Sequence, residues 1–208
     1  MKIRFVITAG PTREHLDPVR FLSNPSTGKM GFAVAAEAAR RGHETVLVAG
    51  PVALETPKGV KRVDVVSARD MLAAVKAAVK PDAILVATAA VADWRPAKCA
   101  AKKLKKGEMS PTLRLVRNPD ILKTVKGVKK IGFAAETNDV LAEAARKCRA
   151  KGLSFIVAND VTKRGSGFGT DTNEVTFVYP DGTLKKLPLM TKRMVAKRIV
   201  DAAEALGC

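Results

Sequence analysis
The chain has 208 residues, 47% of them apolar, which suits one compact domain with a sizeable core. Thirty-seven basic against twenty acidic residues leave a formal charge of +17, so anionic ligands are expected. No apolar run approaches the roughly 18 residues that cross a bilayer, no leader precedes the first strand-like run, and three scattered cysteines with two histidines suit neither a disulfide framework nor a zinc cage; a cytoplasmic protein with no membrane contact is expected.

In chain order, strand-like and helix-like segments alternate. "IRFVITA" and "ETVLVAG" are runs rich in β-branched residues, and they bracket the Ala-rich helical segment "MGFAVAAEAARRG", ending at Gly42. "KRVDVV" leads to "SARDMLAAVKAAVK", where Ser67 caps a predicted helix with Met71, Leu72, Val75 and Val79 on its apolar face. "DAILVATAA" is continuously apolar, as a strand covered on both faces would be. The segment from Arg95 to Asn118 has no clean period and reads as a long basic loop, a flap closing over phosphates. "IGFAAET", "VLAEAARKCRAKG" and "SFIVAND" resume the strand–helix–strand order, with Cys148 on the apolar stripe of Leu141 and Ala144. "EVTFVYPDGTLKKLP" carries a hairpin signal at Asp181-Gly182, and "TKRMVAKRIVDAAEAL" is a closing amphipathic helix. The order predicts a single α/β domain over residues 1–208: three-layered, Rossmann-like, with a mostly parallel sheet and a C-terminal β-hairpin plus helix.

The charge is uneven. Between Arg95 and Lys130 stand twelve Lys or Arg against two acids, Glu108 and Asp120. A nucleic-acid module would add a recognition motif or interleaved aromatics, yet Trp94 is the only aromatic beside this cluster, so small phosphorylated ligands explain the charge better than nucleic acid. In an open parallel sheet ligands bind beyond the carboxyl ends of the strands. Four strand ends carry small or polar residues: Gly10 to Arg13, Thr88 to Asp93, Ala134 to Asn138, and Asn159-Asp160. Together they predict one cleft. Gly28 and Gly31 flank Lys29 where a helix begins, so a phosphate can dock on its amides; alternatively Ser26 or Thr27 is simply the N-cap. The glycines after the first strand, Gly10, Gly28 and Gly31, are too far apart for a dinucleotide fingerprint, and no P-loop or nucleophile–base pairing is evident. Lys147 and Lys151, four apart, share a helix face and can reach one polyanion.

The motifs "ITAGPTREHLDPVRFLSNPSTGKMG", "ATAAVADWRPA", "KKLKK", "VRNPDIL", "GFAAET" and "ANDV…GFGTDTNEV", in this order along nearly the whole chain, resemble bacterial phosphopantothenoylcysteine synthetase, the ligase part of the coenzyme A biosynthesis protein. The resemblance implies a two-step reaction: 4′-phosphopantothenate attacks CTP to give an acyl-cytidylate and pyrophosphate, and the amine of L-cysteine then displaces CMP. It implies a nucleotide site of Ala87, Thr88, Ala89, Asp93, Lys103, Pro119, Asp120, Ile121, Leu122, Phe133, Lys147 and Lys151. Lys103 (or Lys102, in the same run) would bear on the triphosphate, Asp93 on the ribose or a CTP-bound Mg²⁺, and Asn24 on the second step. Arg20 and Asn24, with Gly28 and Gly31, would hold the acyl substrate. Direct metal ligands are left open. A homodimer is implied, as is a phosphopantothenoylcysteine decarboxylase fused or partnered elsewhere; nothing here resembles that flavin domain, so no FMN is expected on this chain, which is read as an excised domain or a monofunctional ligase. Pro25, Thr27 and Trp94 depart mildly from the family pattern. The competing readings are an NADPH-dependent reductase, which lacks both the glycine fingerprint and an acid at the second strand end, where Ala49-Gly50-Pro51 stands, and a nucleic-acid-binding module.

Overall fold
A computed structural model describes residues 2–105, 107, 112–136, 139–160, 162–163, 165–167 and 169–207. Glu108, Asn138 and Lys106, the last lysine of "KKLKK", all read above, lie outside them.

Strand β1 (Arg4–Ala9) occupies the middle of the sheet because both its faces are apolar: Phe5, Ile7 and Ala9 point to one side and Val6 to the other, all fully buried. A short hairpin, β2 (Arg13–His15) and β3 (Phe21–Ser23), follows, then helix α1 (Lys29–Arg40) and strand β4 (Glu44–Ala49) parallel to β1. β5 (Val60–Asp64) adds beyond β4, and α2 (Ala68–Ala78) begins at Ser67 with a reciprocal capping box to Asp70. β6 (Ile84–Ala87) returns to the other side of β1. After it come β7 (Trp94–Pro96), β8 (Leu115–Arg117), the single-turn helix α3 (Ile121–Thr124), β9 (Lys129–Glu136), α4 (Val140–Lys151) and β10 (Phe155–Asp160). β11 (Thr172–Val178), β12 (Leu184–Thr191) and α5 (Lys192–Leu206) finish the chain.

The eight-stranded order is β12-β11-β10-β9-β6-β1-β4-β5. The six strands from β10 to β5 run parallel; β11 and β12 are antiparallel additions at one edge. One face is covered by α1 and α5, whose Phe32, Val34, Ala35, Val195, Ile199 and Val200 meet the stacked pair Phe155–Phe177 and their strand neighbours. Met71 and Val75 of α2, with Ile121 of α3, cover the opposite face, and Ala144 and Cys148 of α4 seal it beside Ile156. This is the three-layer α/β fold expected from the alternation. Truncating a fully buried residue such as Met71 to alanine costs about 2–5 kcal/mol, because a close-packed interior collapses only partly around the gap.

Two expectations are corrected. Residues 95–118 are not featureless: β7 and β8 pair antiparallel at its two ends, with Trp94 opposite Arg117. Up to Lys105 the basic segment is pinned to the turn of the first hairpin, Ala100 N–H donating to the Leu16 carbonyl at 2.8 Å. Nor do Ser26 or Thr27 cap α1. Its N-cap is Gly28, at φ +78°, with no side chain bonded to the first-turn amides.

Candidate active site: two clefts at the strand-order reversal
The chain runs outward from β1 to β4 and β5, then crosses back to β6, so strand order reverses between β1 and β6. A crevice opens at such a reversal beyond the carboxyl strand ends, since successive connections leave in opposite directions. The segment after β6 is held there by the end of β1. Thr88 donates its hydroxyl to the Thr8 carbonyl at 2.7 Å, Ala90 N–H donates to Gly10, and Ala92 N–H donates to the Thr12 hydroxyl. From outside, Asn24 Nδ2 donates to the Ala90 carbonyl at 3.0 Å and Asn118 Nδ2 to the Ala92 carbonyl at 2.8 Å. Residues 88–92 thus form a rigid ledge.

Two clefts flank the ledge rather than the single one expected. The α1-side cleft, ≈ 330 Å³, is lined by Asn24, residues 26–31, Thr88 to Val91, Phe133 to Ala135, Asn159, Gly167, Asn173 and Lys192. The α3-side cleft, ≈ 190 Å³, is lined by Thr8, Ala87, Ala89, Val91 to Asp93, Asn118 to Leu122, Phe133 and Lys151. Ala89, Val91 and Phe133 belong to both.

Of the twelve nucleotide-site residues named from sequence, Ala87, Ala89, Asp93, Pro119, Asp120, Ile121, Leu122, Phe133 and Lys151 converge on the α3-side cleft. Asp120 sits at the N-terminus of α3, accepting the Lys123 amide, and its carboxylate reaches the Lys151 ammonium at 3.1 Å. Lys130, almost fully buried, donates to the carbonyls of Leu122 and Lys151 at 2.8 and 2.7 Å, tying α3 to the last turn of α4. Burial lowers its pKa, reinforced by Lys126 and opposed by Asp120. Thr88, Asn24, Gly28 and Gly31 line the other cleft.

Three named residues line neither cleft. Lys103 is exposed, and Lys147 is half-buried on α4. The Arg20 guanidinium instead grips Asp17, through Nε at 3.0 Å and through Nη2, and donates to the Leu104 carbonyl at 2.9 Å. Arg20, aided by the backbone amides of Val19, Arg20 and Leu104 and opposed by burial, holds the Asp17 carboxyl well below the usual carboxylate range.

Sequence reasoning did not assign Asn173 or Lys192 to the site, and it noted Asn159 only as a polar strand end. Asn159 Oδ1 accepts the Ser166 hydroxyl at 2.5 Å. Asn173 Oδ1 accepts the Gly167 amide at 3.1 Å. Lys192, the first residue of α5, donates to the Gly167 and Thr170 carbonyls at 3.1 and 2.5 Å. Burial lowers the Lys192 pKa, as does Lys29, with Asp171 opposing. The available signal was the run of polar residues in "GFGTDTNEV", which carries Asn173 into β11.

Residues 1–206 match the family described as DNA/pantothenate metabolism flavoprotein C-terminal domain. The chain belongs to this family. It is 48% identical over 207 residues to the coenzyme A biosynthesis bifunctional protein CoaBC of Escherichia coli strain K12, covering 96% of this chain and 51% of that protein. The Bacillus subtilis CoaBC is likewise 48% identical, over 97% of this chain and 51% of its own length. The chain therefore spans about half the length of these curated relatives. A crystal structure of the C-terminal domain of CoaBC superimposes with a TM-score of 0.83 at 42% identity, covering 98% of this chain and 95% of that domain. Among the described residues no helix is long and apolar enough to cross a membrane.

Proposed function
We propose that this domain is a CTP-dependent ligase that joins 4′-phosphopantothenate to L-cysteine, with the acyl substrate in the α1-side cleft and CTP in the α3-side cleft. The observation that carries this reading is the shared wall of Ala89, Val91 and Phe133, which brings two separate clefts to one meeting point. A reaction between two large substrates needs that geometry, because holding the reacting atoms together removes a large part of its barrier. A carboxylate oxygen of phosphopantothenate bonds to the α-phosphorus of CTP as the bond to pyrophosphate breaks. The cysteine amine then adds to the activated carbonyl, loses its proton, and expels CMP.

Each chain residue has a task in this scheme. Lys151 and the positive ends of the helices offset the charge of two anions brought together. Phe133 packs where the two substrates adjoin. The Asn24 amide is oriented by its own Nδ2–H bond to Ala90, which leaves Oδ1 to accept a hydrogen bond from the incoming amine. Lys103 acts on the triphosphate once its side chain reaches over the cleft. Among the described residues no group of three or more His, Cys, Asp or Glu converges, so a Mg²⁺ would travel with CTP, with Asp93 as the carboxylate able to approach it. Bound there, the ion would supply charge neutralisation of the phosphates. The reading places no FMN on this chain; flavin chemistry belongs to the decarboxylase proposed as fused domain or partner. A homodimer in the cytoplasm completes the proposal, with the second copy covering exposed Val19, Phe21, Trp94 and Leu115 on the two small hairpin sheets.

The test is substrate-dependent release. Pyrophosphate should appear from CTP only with 4′-phosphopantothenate present, and CMP only after cysteine is added. Absence of turnover in a correctly assembled sample sinks the ligase reading.

A further inference from the structure
Asn118 stands between the two walls of the α3-side cleft and joins them at three points. Its backbone N–H donates to the Asp93 carbonyl at 2.8 Å, and its Nδ2 donates to the Ala92 carbonyl at 2.8 Å. Its Oδ1 accepts Arg95 Nη1 at 3.1 Å, and the same guanidinium nitrogen donates to the Arg117 carbonyl. A carbonyl only accepts and a guanidinium only donates, so the amide is held in one sense and its two ends cannot be exchanged. Chain order lets this anchor act on both walls. Ala92 and Asp93 lie on one, and Pro119 to Leu122, which follow Asn118 at once, lie on the other. A residue before proline is kept extended, and Pro119 has no N–H of its own, so the entry into α3 is fastened to residues 92 and 93 through Asn118.

Asp93 is exposed, so its place at the cleft is set by its backbone rather than by packing of its side chain. That backbone is fixed from both sides: Ala92 N–H donates to the Thr12 hydroxyl at 3.0 Å, and the carbonyls of Ala92 and Asp93 both end on Asn118. On the facing wall, Asp120 caps α3 by accepting the Lys123 amide and holds Lys151 at 3.1 Å. Without the Asn118 amide, Asp93 and the Asp120–Lys151 pair keep their own partners and lose their spacing. The Asn24 bond to Ala90, on the α1 side of the ledge, stays. We infer that Asn118 is a positioning residue for the nucleotide half of the reaction, acting through Asp93 and the first turn of α3 on the attack at CTP and not on the later attack by cysteine. Its nitrogen and its oxygen are both engaged with the chain itself, which makes the role one of placement rather than contact. The assignment to one of two steps rests on the ligase reading above.

The test reads the two steps separately in the full chain. Exchange of labelled pyrophosphate into CTP, with 4′-phosphopantothenate present and cysteine absent, reports the first step. Release of CMP from supplied acyl-cytidylate on adding cysteine reports the second. Asn118→Leu keeps the volume and removes both side-chain bonds; it should slow the exchange by about 10- to 100-fold, as a displacement of about 1 Å in a positioned group does. The cysteine step and the calorimetric affinity for 4′-phosphopantothenate should both stay within about twofold of wild type. Arg95→Met removes the guanidinium and leaves the Nδ2 bond to Ala92, so it should show the same selectivity at about three- to tenfold, and it decides the question if Asn118→Leu does not fold. Equal slowing of both steps marks a merely structural residue and overturns the inference. So does unchanged exchange in a folded variant, or a loss confined to the cysteine step; each leaves the ligase reading standing. If the wild-type chain itself exchanges no pyrophosphate into CTP, the ligase reading falls and takes this inference with it.

Discussion

Replacing Gly31 by alanine tests how closely α1 must approach the sheet for the site to exist. A Cβ there would lie 2.4 Å from Thr88 Oγ1, 2.5 Å from Ala9 Cβ and 3.1 Å from the Thr8 carbonyl oxygen. None of the three yields easily: Ala9 and Thr8 belong to the central strand, and the Thr88 hydroxyl is bonded to Thr8 at 2.7 Å. Since carbon contacts settle near 3.5–4.0 Å, α1 would have to retreat by about 1 Å. Overpacking costs about 1–3 kcal/mol, and a broken Thr88–Thr8 bond adds about 1 kcal/mol. The better helix propensity of alanine returns at most about 1 kcal/mol. The net loss is about 1–3 kcal/mol, a fall in melting temperature of roughly 3–10 °C for a chain of this size. Thermal unfolding measured by circular dichroism, with Gly42→Ala as the comparison, checks it. At Gly42 an added Cβ meets nothing within 4 Å, and only the left-handed φ of +82° is penalised, by about 1–2 kcal/mol. A Gly31→Ala protein that melts at or above wild type would refute the reasoning, since helix propensity would then outweigh the close approach.

Lys103→Ala should slow pyrophosphate release by about 2–4 kcal/mol of transition-state stabilisation, read as single-turnover kinetics with CTP affinity measured alongside. Asn24→Ala should complete the first step and accumulate acyl-cytidylate, visible by mass spectrometry; normal flow to product contradicts its role. Glu37, buried on α1, is gripped by Arg40 and Arg41, which bring its pKa down to about 2 from 4.5 against the effect of burial. A depressed carboxyl stabilises the fold above its unfolded pKa, so this contribution, about 3 kcal/mol at most, should vanish as pH falls from 4.5 through 2. Glu37→Gln should flatten the melting temperature over that window. Lys130→Met removes the donor to the Leu122 and Lys151 carbonyls, so CTP affinity should fall while 4′-phosphopantothenate affinity holds, with a stability loss of about 1–2 kcal/mol.

What was legible in the sequence was local. Runs such as "DAILVATAA" announce a doubly covered strand, Ser67 marks a helix start, and Cys148 follows the apolar stripe of α4. The polar strand ends pointed to the carboxyl edge of the sheet, though as one cleft rather than two. What escaped was non-local. β2, β3, β7 and β8 are three residues each, too short for a period to register, and β7 and β8 exist because partners some 20 residues away meet them. Lys192 reads as one more basic residue on an amphipathic helix, yet it is buried because β11 and the loop before it fold over its head. Arg20, which the resemblance assigns to the acyl substrate, is bonded to buried Asp17 three residues earlier, a partnership that the sequence does not announce.

That claim has a consequence for the lysines of "KKLKK". Leu104 is fastened at both its amide and its carbonyl to the Asp17–Arg20 pair. The fastening divides a tether of some twenty residues between β7 and β8 into two shorter arcs, and the entropy of closing a loop grows with its length. Lys103 is bonded directly to that anchor, so its ammonium searches a sphere set by one side chain rather than a volume set by the whole segment. On the proposed reading, a charge confined in this way would meet the triphosphate at a high effective concentration, with the buried Asp17 carboxylate serving as its mooring.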